Sequence, residues 1–449
     1  MRTFLPALLC ALLLLAGRPA PAGRAAPQEE ADRQLAEEIF KLRAIDHHAH
    51  PLRATREGEE DREYDALPPD ALEPAPPLPA RLGPDNPEYV GAWRALWGYG
   101  HEDMSEAHVR DVLEARAKVA RAEGDNYPAW VLDRLNIDVM FANRVAMGRG
   151  LVPRRFRWVS FVDALMLPLS SERVRQRTPD YKGFYPGEDA LLGRYLSDLG
   201  LKAVPATLTE YLARVVTPTL ERQKREGAVA VKFEAAYLRG LDFGDATEAE
   251  AARVYARYAA GHAGAPSAAE YKPLQDFLFR RIAREAGRLG LAVHIHTGAG
   301  VGAYFSVTGS NPMLMEPAFN DPVLHQTNFV LIHGGWPFAA QAGALILKPN
   351  VYADFSAQTF LRSPHALAQT LREWLEFAPE KVLFGTDAFI MTPAVGWEEV
   401  GWLSNRTGRQ ALALALTGML RDGEITRGRA SELARMVMHD NAAKLYGIK

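Results

Sequence analysis

Five short stretches carry side chains that could share one cation: Asp46-His47-His48-Ala49-His50, Val231-Lys232-Phe233, His294-Ile295-His296-Thr297-Gly298, Ile332-His333-Gly334-Gly335 and Gly385-Thr386-Asp387. Each closes a short apolar run. His48 and His50 are two apart, so on a strand both imidazoles face one side. By the same alternation His47 should face away and pack behind the sheet, and Asp46 should sit one layer below His48, suited to a hydrogen bond that orients a ligand. In the pair His294/His296 the second, at the end of its run, is the better ligand. A lone histidine at a strand end is more often structural. His48, His50, His296 and His333 with Asp387, all at the same end, are hard to explain as packing and predict a metal site. Imidazole and carboxylate donors without thiolate suit zinc, and manganese or iron also fit.

The elements that must position these residues follow from periodicity. Eight apolar runs of strand length occur: Ala44–His48, Ile137–Phe141, Arg157–Val162, Ala228–Phe233, Leu291–His296, Asn328–His333, Val351–Phe355 and Lys381–Gly385. Helix-period stretches separate most of them: Leu208–Glu226, Glu248–Tyr258, Leu274–Leu289, Ala339–Leu347 and Ala366–Phe377, with Arg409–Leu420 and Ala430–His439 after the last. Buried runs alternating with helices argue for a parallel sheet. Eight of them predict an α/β fold, a (β/α)8 TIM-like barrel whose active groups sit at the C-terminal strand ends. Residues 52–130 form an insertion between the first two strands, Pro-, Asp- and Glu-rich at first and then helical over Glu88–Trp97 and Ser105–Ala122. Its Tyr89, Trp93, Trp97 and Tyr99 could build a small helical core or a lid.

Lys232 falls among apolar neighbours, and an unpaired buried ammonium is costly. It either pairs with Glu234 or, as a neutral amine, takes up carbon dioxide to become a carbamate able to bridge two cations. Arg144 lies past the second run, and Tyr237 and Arg239 past the fourth. An arginine at a barrel mouth can clamp a carboxylate, which makes these residues and Trp336, beside His333, the expected substrate-binding groups.

Met1-Arg2-Thr3, an apolar Phe4–Ala16 and Ala20-Pro21-Ala22 read as a signal peptide over 1–22 and an exported, periplasmic or secreted protein. A lead and helix then occupy 23–43, and the barrel 44–449. The net charge of −3 becomes −5 once Arg2 and Arg18 are removed. Without a basic tract, nucleic acid is not an expected partner. The apolar stretch is shorter than the roughly 20 residues that span a bilayer, so stable membrane insertion is not expected either. Cys10 is the only cysteine, which leaves the mature chain without disulfides, thiolate ligands or a cysteine nucleophile. Composition leaves the oligomeric state open, a homo-oligomer included.

The ordered set of HxH on strand one, Lys on strand four, His on strands five and six and Asp on strand eight resembles the amidohydrolase superfamily. Lys232 with Tyr237-Leu238-Arg239-Gly240-Leu241, Leu331-Ile332-His333-Gly334-Gly335-Trp336-Pro337, Asn350-Val351-Tyr352-Ala353-Asp354-Phe355-Ser356 and His439-Asp440-Asn441-Ala442-Ala443-Lys444-Leu445-Tyr446-Gly447 are similar to the branch that includes glutamine-synthetase-associated domains. The likeness runs over roughly residues 44–449 and is weakest over 52–130. It implies a metal-dependent hydrolase of amide or ester bonds. A divalent ion on His48, His50 and Asp387 would lower the pKa of water from about 15.7 towards roughly 7, the resulting hydroxide would attack a carbonyl carbon, and Asp387 would carry the proton to the leaving group. With a carboxylated Lys232 a second ion would rest on His296 and His333. With an unmodified one, a single ion would also use His296, and His333 would polarise the carbonyl. The runner-up implied by the same resemblance is a metal-dependent decarboxylase acting on a small aromatic or related acid. The substrate itself, a small molecule that could carry a carboxylate, is not specified.

Overall fold

The computed structural model describes residues 30–56, 58–67, 72, 78–259 and 263–448. The expected signal peptide and most of the lead lie outside the described residues. From Ala31 onward the chain forms one compact unit. It begins with the helix Arg33–Lys41, whose first turn is capped by the Asp32 carboxylate accepting from Leu35 N–H at 2.9 Å.

Eight strands follow: β1 (Ala44–Ala49), β2 (Ile137–Arg144), β3 (Phe156–Phe161), β4 (Ala228–Phe233), β5 (Ala292–His296), β6 (Phe329–Ile332), β7 (Val351–Asp354) and β8 (Val382–Leu383). Each pairs in parallel with the next, in the order β1 to β8. The chain after β8 then returns to β1: His47 N–H donates to Phe384 O at 2.9 Å, Asp387 N–H to His48 O at 2.7 Å and His50 N–H to Ala388 O at 2.7 Å. These bonds close the sheet, and the fold is the expected (β/α)8 barrel.

One buried cluster draws residues from the strands all around the barrel, among them Ile45, Val139, Val159, Ala230, Ala292, Val330 and Leu383, with Tyr352 of β7 packed against it. Only a barrel interior can do that. Ala442, Leu445, Tyr446 and Ile448 join the same cluster, so the C-terminal helix Asn441–Tyr446 plugs the end at which the strands begin. The opposite end is left for chemistry.

Most helices form where the apolar period places them, and two differences are instructive. The segment read as helical over Arg409–Leu420 is the end of a longer helix, Trp397–Arg421, whose buried residues run from Trp397 to Met419. The helix Pro179–Asp198 was not legible, because Gly183, Pro186 and Gly187 interrupt its pattern while Phe184, Tyr185, Leu191, Leu192 and Tyr195 are buried. In the insertion the helices Glu88–Trp97 and Glu106–Glu123 form as expected. Its aromatic residues face the barrel: Tyr89, Trp93 and Tyr99 cluster with Val400 and Leu403 of the long helix and with Ala357 and Phe360, and Trp97 Nε1–H donates to Glu399 at 2.6 Å.

Candidate metal centre

The carboxyl ends of the strands bring the distant histidines together. His48 Nε2 lies 3.3 Å and His50 Nε2 3.6 Å from Asp387 Oδ1, and His333 Nδ1 lies 3.9 Å from Asp387 Oδ2. One ligand atom from each of His48, His50 and Asp387 lies within 4.8 Å of the others, the spacing of donors around one ion. The His296 ring stands 4.6 Å from that of His333, and the Tyr237 ring 4.6 Å from that of His296. Lys232 Nζ is 3.4 Å from His48 Nε2 and 4.0 Å from Glu234 Oε1. His48, His50, Lys232, His296, His333 and Asp387 therefore line one buried pocket.

Local sequence explains how these side chains are aimed. β1 advances three residues, Asp46 to Ala49, while β2 advances two, Met140 to Ala142. This β-bulge turns two consecutive side chains inward. His48 and His50 reach the pocket, and His47 lies inside the barrel just below them, 5.4 Å from the Phe141 ring and 4.5 Å from that of His294. The expectation that His47 packs behind the barrel is corrected by this bulge, since strict alternation fails there. Asp46 faces outward with Met140. It accepts from Thr386 N–H at 2.9 Å and Thr386 Oγ–H at 2.6 Å, and from the backbone N–H of His48 at 3.3 Å, so it ties β1 to β8 without orienting the imidazole. His333 and Asp387 adopt φ of 67° and 54°. Such backbone costs on the order of 1–3 kcal/mol and concentrates at functional sites. Gly298, after His296, has φ 56°, and a Cβ there would sit 2.0 Å from Trp336 O, so the His-Thr-Gly wording is a packing requirement.

Hydrogen bonds assign the imidazole protons. His50 Nδ1–H donates to Tyr64 O at 3.1 Å and leaves Nε2 facing Asp387. His296 Nε2–H donates to Gly298 O at 3.0 Å, which leaves Nδ1 with a lone pair. His333 Nδ1 is 2.8 Å from Ser356 Oγ, whose own proton goes to Asp354 Oδ1 at 2.7 Å. His333 thus carries its proton on Nδ1, with the lone pair on Nε2. Among the described residues nothing bonds His48 Nδ1. Burial holds His48, His296 and His333 well below the usual imidazole range, with the Lys232 ammonium among the further causes for each, and lowers His50 as well. Neutral imidazoles with free lone pairs beside a carboxylate are the donor set a divalent ion requires. Burial also pushes the Asp387 carboxyl up to about 7, against the pull of Lys232.

The substrate-binding expectations fare differently. Arg144 is fully buried, and its two terminal nitrogens each lie 2.8 Å from Asp61. Arg239 binds Asp276 at 2.7 Å and Gln275 at 3.2 Å and stacks on Phe243. Both guanidiniums are spent inside the protein, and neither is an open carboxylate clamp. Tyr237 does reach the pocket through His296. Trp336 is half-buried, and its backbone anchors the loop after β5 through Ala299 N–H at 2.7 Å. Sequence reasoning missed Asp65, whose Oδ2 is 3.4 Å from His50 Nδ1, and missed the roles of Asp354 and Ser356. An acid in a polar insertion gives no signal, whereas Asp354-Phe355-Ser356 does end the seventh apolar run.

A closed eight-stranded barrel with histidines and an aspartate gathered at its carboxyl rim defines a metal-site barrel protein. Residues 174–448 match the family described as Amidohydrolase, and the chain belongs to that family. Protein fluG of Emericella nidulans is 28% identical over 228 residues, a match covering 49% of this chain and 25% of that protein. The chain thus matches about a quarter of that relative's length. Among solved structures, a protein described as a metal-dependent hydrolase from Lactobacillus casei ATCC 334 is similar at TM-score 0.57 and 18% identity, over 93% of this chain and 98% of that one. A glucuronate isomerase from Caulobacter crescentus is similar at TM-score 0.62 and 13% identity, over 93% and 94%. At such identities the likeness shows the fold alone.

Proposed function

We propose that the protein is a divalent-metal-dependent hydrolase that cleaves an amide or ester bond of a small molecule. The observation that carries this reading is the convergence of His48, His50 and Asp387 within 4.8 Å, in a family of amidohydrolases. When bound, a divalent ion supplies Lewis acidity that acidifies water and polarises a carbonyl. Asp387 is the proton carrier: its carboxylate stands at the rim beside His48 and His50, where it can take a proton from the attacking water and release it to the leaving nitrogen or oxygen. The Nδ1–H tautomer of His333 makes Nε2 a ligand atom, which supports a role in holding a cation over one in donating a hydrogen bond to the carbonyl. Tyr237 and Phe305 close the side of the pocket next to His296 and exclude water. Zinc is the proposed ion, on the donor types. Export is proposed on the leader pattern alone.

Metal analysis and a substrate screen test this reading. Two equivalents of metal, falling to one or none in Lys232→Ala, are expected of a carboxylated lysine bridging two ions. One equivalent unaffected by that change means a single ion. Asp387→Asn should retain metal in part and lose activity by about 10²–10⁴-fold. Release of carbon dioxide from an aromatic acid, with no cleavage of acylated amino acids, dipeptides or lactones, would replace hydrolysis by decarboxylation. A chain that binds no divalent metal would end the proposal.

A further inference from the structure

Beneath the metal pocket lies a second polar layer that the proposed reaction does not use. Tyr446, on the last helix, sends its hydroxyl up from the barrel floor between two buried histidines. Its oxygen is 2.6 Å from His47 Nε2 and 2.6 Å from His294 Nε2. His47 Nδ1 faces Asp354 Oδ2 at 3.1 Å. Asp354 Oδ1 in turn accepts from Ser356 Oγ–H at 2.7 Å and from the backbone N–H of His333 at 2.8 Å. Ser356 Oγ accepts from His333 Nδ1–H at 2.8 Å.

Donor and acceptor arithmetic gives this chain one direction. A carboxylate only accepts, so a neutral His47 carries its proton on Nδ1 and its lone pair on Nε2. That lone pair takes the proton of Tyr446. The Tyr446 oxygen then accepts from His294 Nε2–H, and the partnerless His294 Nδ1 is a lone pair, the cheaper atom to leave unbonded. With His47 neutral, the protons from the barrel floor to His333 thereby follow in one direction. The surroundings are apolar, with Phe141 and Tyr446 rings 4.6 Å apart, so the layer has no water-like substitute for a lost member.

We propose that Tyr446 is a positioning residue for the metal pocket, acting through His47, Asp354 and Ser356 to hold the His333 proton on Nδ1 and keep Nε2 open to a cation. The inference rests on the metal-dependent reading above. Without the tyrosine hydroxyl, His47 Nε2 loses its donor, and the imidazole can move its proton or turn away from Asp354. The Asp354 carboxylate then loses the contact that fixes its rotation, and once its Oδ1 turns off Ser356 Oγ–H that hydroxyl is free to donate to His333 Nδ1. That reversal puts the His333 proton on Nε2 and converts a ligand atom into a donor.

Co2+ titration of the full chain tests this, read by affinity, by the visible absorption of the bound ion and by melting temperature. Tyr446→Phe is expected to weaken Co2+ binding about tenfold and to alter the absorption bands, with Ser356→Ala having a larger effect. Tyr352→Phe, whose ring belongs to the same floor but whose hydroxyl is outside the chain, should leave both unchanged. His47→Asn keeps an N–H towards Asp354 and drops the Tyr446 contact, so it repeats the test should Tyr446→Phe fail to fold. A lowered melting temperature with wild-type affinity and spectrum would make Tyr446 a mere plug and overturn the inference. A wild-type chain that bound no Co2+ would sink the metal reading and this inference with it.

Discussion

The barrel interior holds two tiers of histidines that look alike in sequence and differ in what their nitrogens meet. In the upper tier His48, His50, His296 and His333 each keep a ring nitrogen free of a strong protein partner, Nε2 of His48 and of His50 lies beside Asp387, and the His296 ring stands against that of His333. In the lower tier His47 and His294 turn towards the Tyr446 hydroxyl, and His47 is also held by Asp354. Residue type and burial are the same in both tiers. What the free nitrogens face differs: the upper tier opens on the pocket at the rim, whereas His47 has both nitrogens bonded by protein and the unbonded Nδ1 of His294 lies one layer deeper in the barrel.

Substitution can break that contrast. The largest effect should come from His48→Asn against His294→Asn. The first should abolish stoichiometric metal, measured by elemental analysis after dialysis. The second should keep the metal and lower stability by about 1–3 kcal/mol, because the buried Tyr446 oxygen loses the donor that His294 supplies while keeping its bond to His47. Equal metal loss in both would erase the distinction between the tiers. A smaller effect is expected for Arg239→Ala. Because Arg239 is bound to Asp276, the variant should lose about 1–2 kcal/mol in urea unfolding, with Lys272, 2.7 Å from Asp276, softening the loss. The KM of the substrate found by screening should hardly move, and a large rise would restore Arg239 as a carboxylate clamp.

The smallest effect concerns the buried acids around Asp163. Glu188 is buried, with neither carboxylate oxygen bonded among the described residues, and burial followed by Asp163 raises it well above the usual carboxylate range. Asp163 is itself pushed up to about 7 by burial. A carboxyl raised in the folded state favours folding fully only below its unfolded pKa, and that contribution is lost as pH rises through the folded one. Glu188→Gln should therefore melt with the wild type near pH 4 and above it, by about 2–4 °C, near pH 8. A gain that did not depend on pH would mean that packing, and not charge, governs this site.

Much of this was legible before any coordinates. The eight runs became eight strands because a buried parallel strand has no solvent face and must be apolar throughout. The ligand positions followed because five of the eight runs close on a histidine, lysine or aspartate that a barrel delivers to the same rim. The insertion was harder to read. Its acids give no period, so Asp65 could not be distinguished from Asp61, yet one lies against His50 and the other neutralises Arg144.

Spacing alone thus determined the barrel, the rim and the residues that crowd it, because apolar period and strand ends are local properties of the chain. Tertiary structure decided what no spacing encodes: that a bulge in β1 turns His47 inward, that Arg144 and Arg239 are already paired, and that Tyr446, close to the last residue, touches histidines on β1 and β5. Those outcomes depend on which donors meet which acceptors across hundreds of residues of separation. A hydrogen bond is specified by position and direction in space, and the order of residues along the chain carries neither.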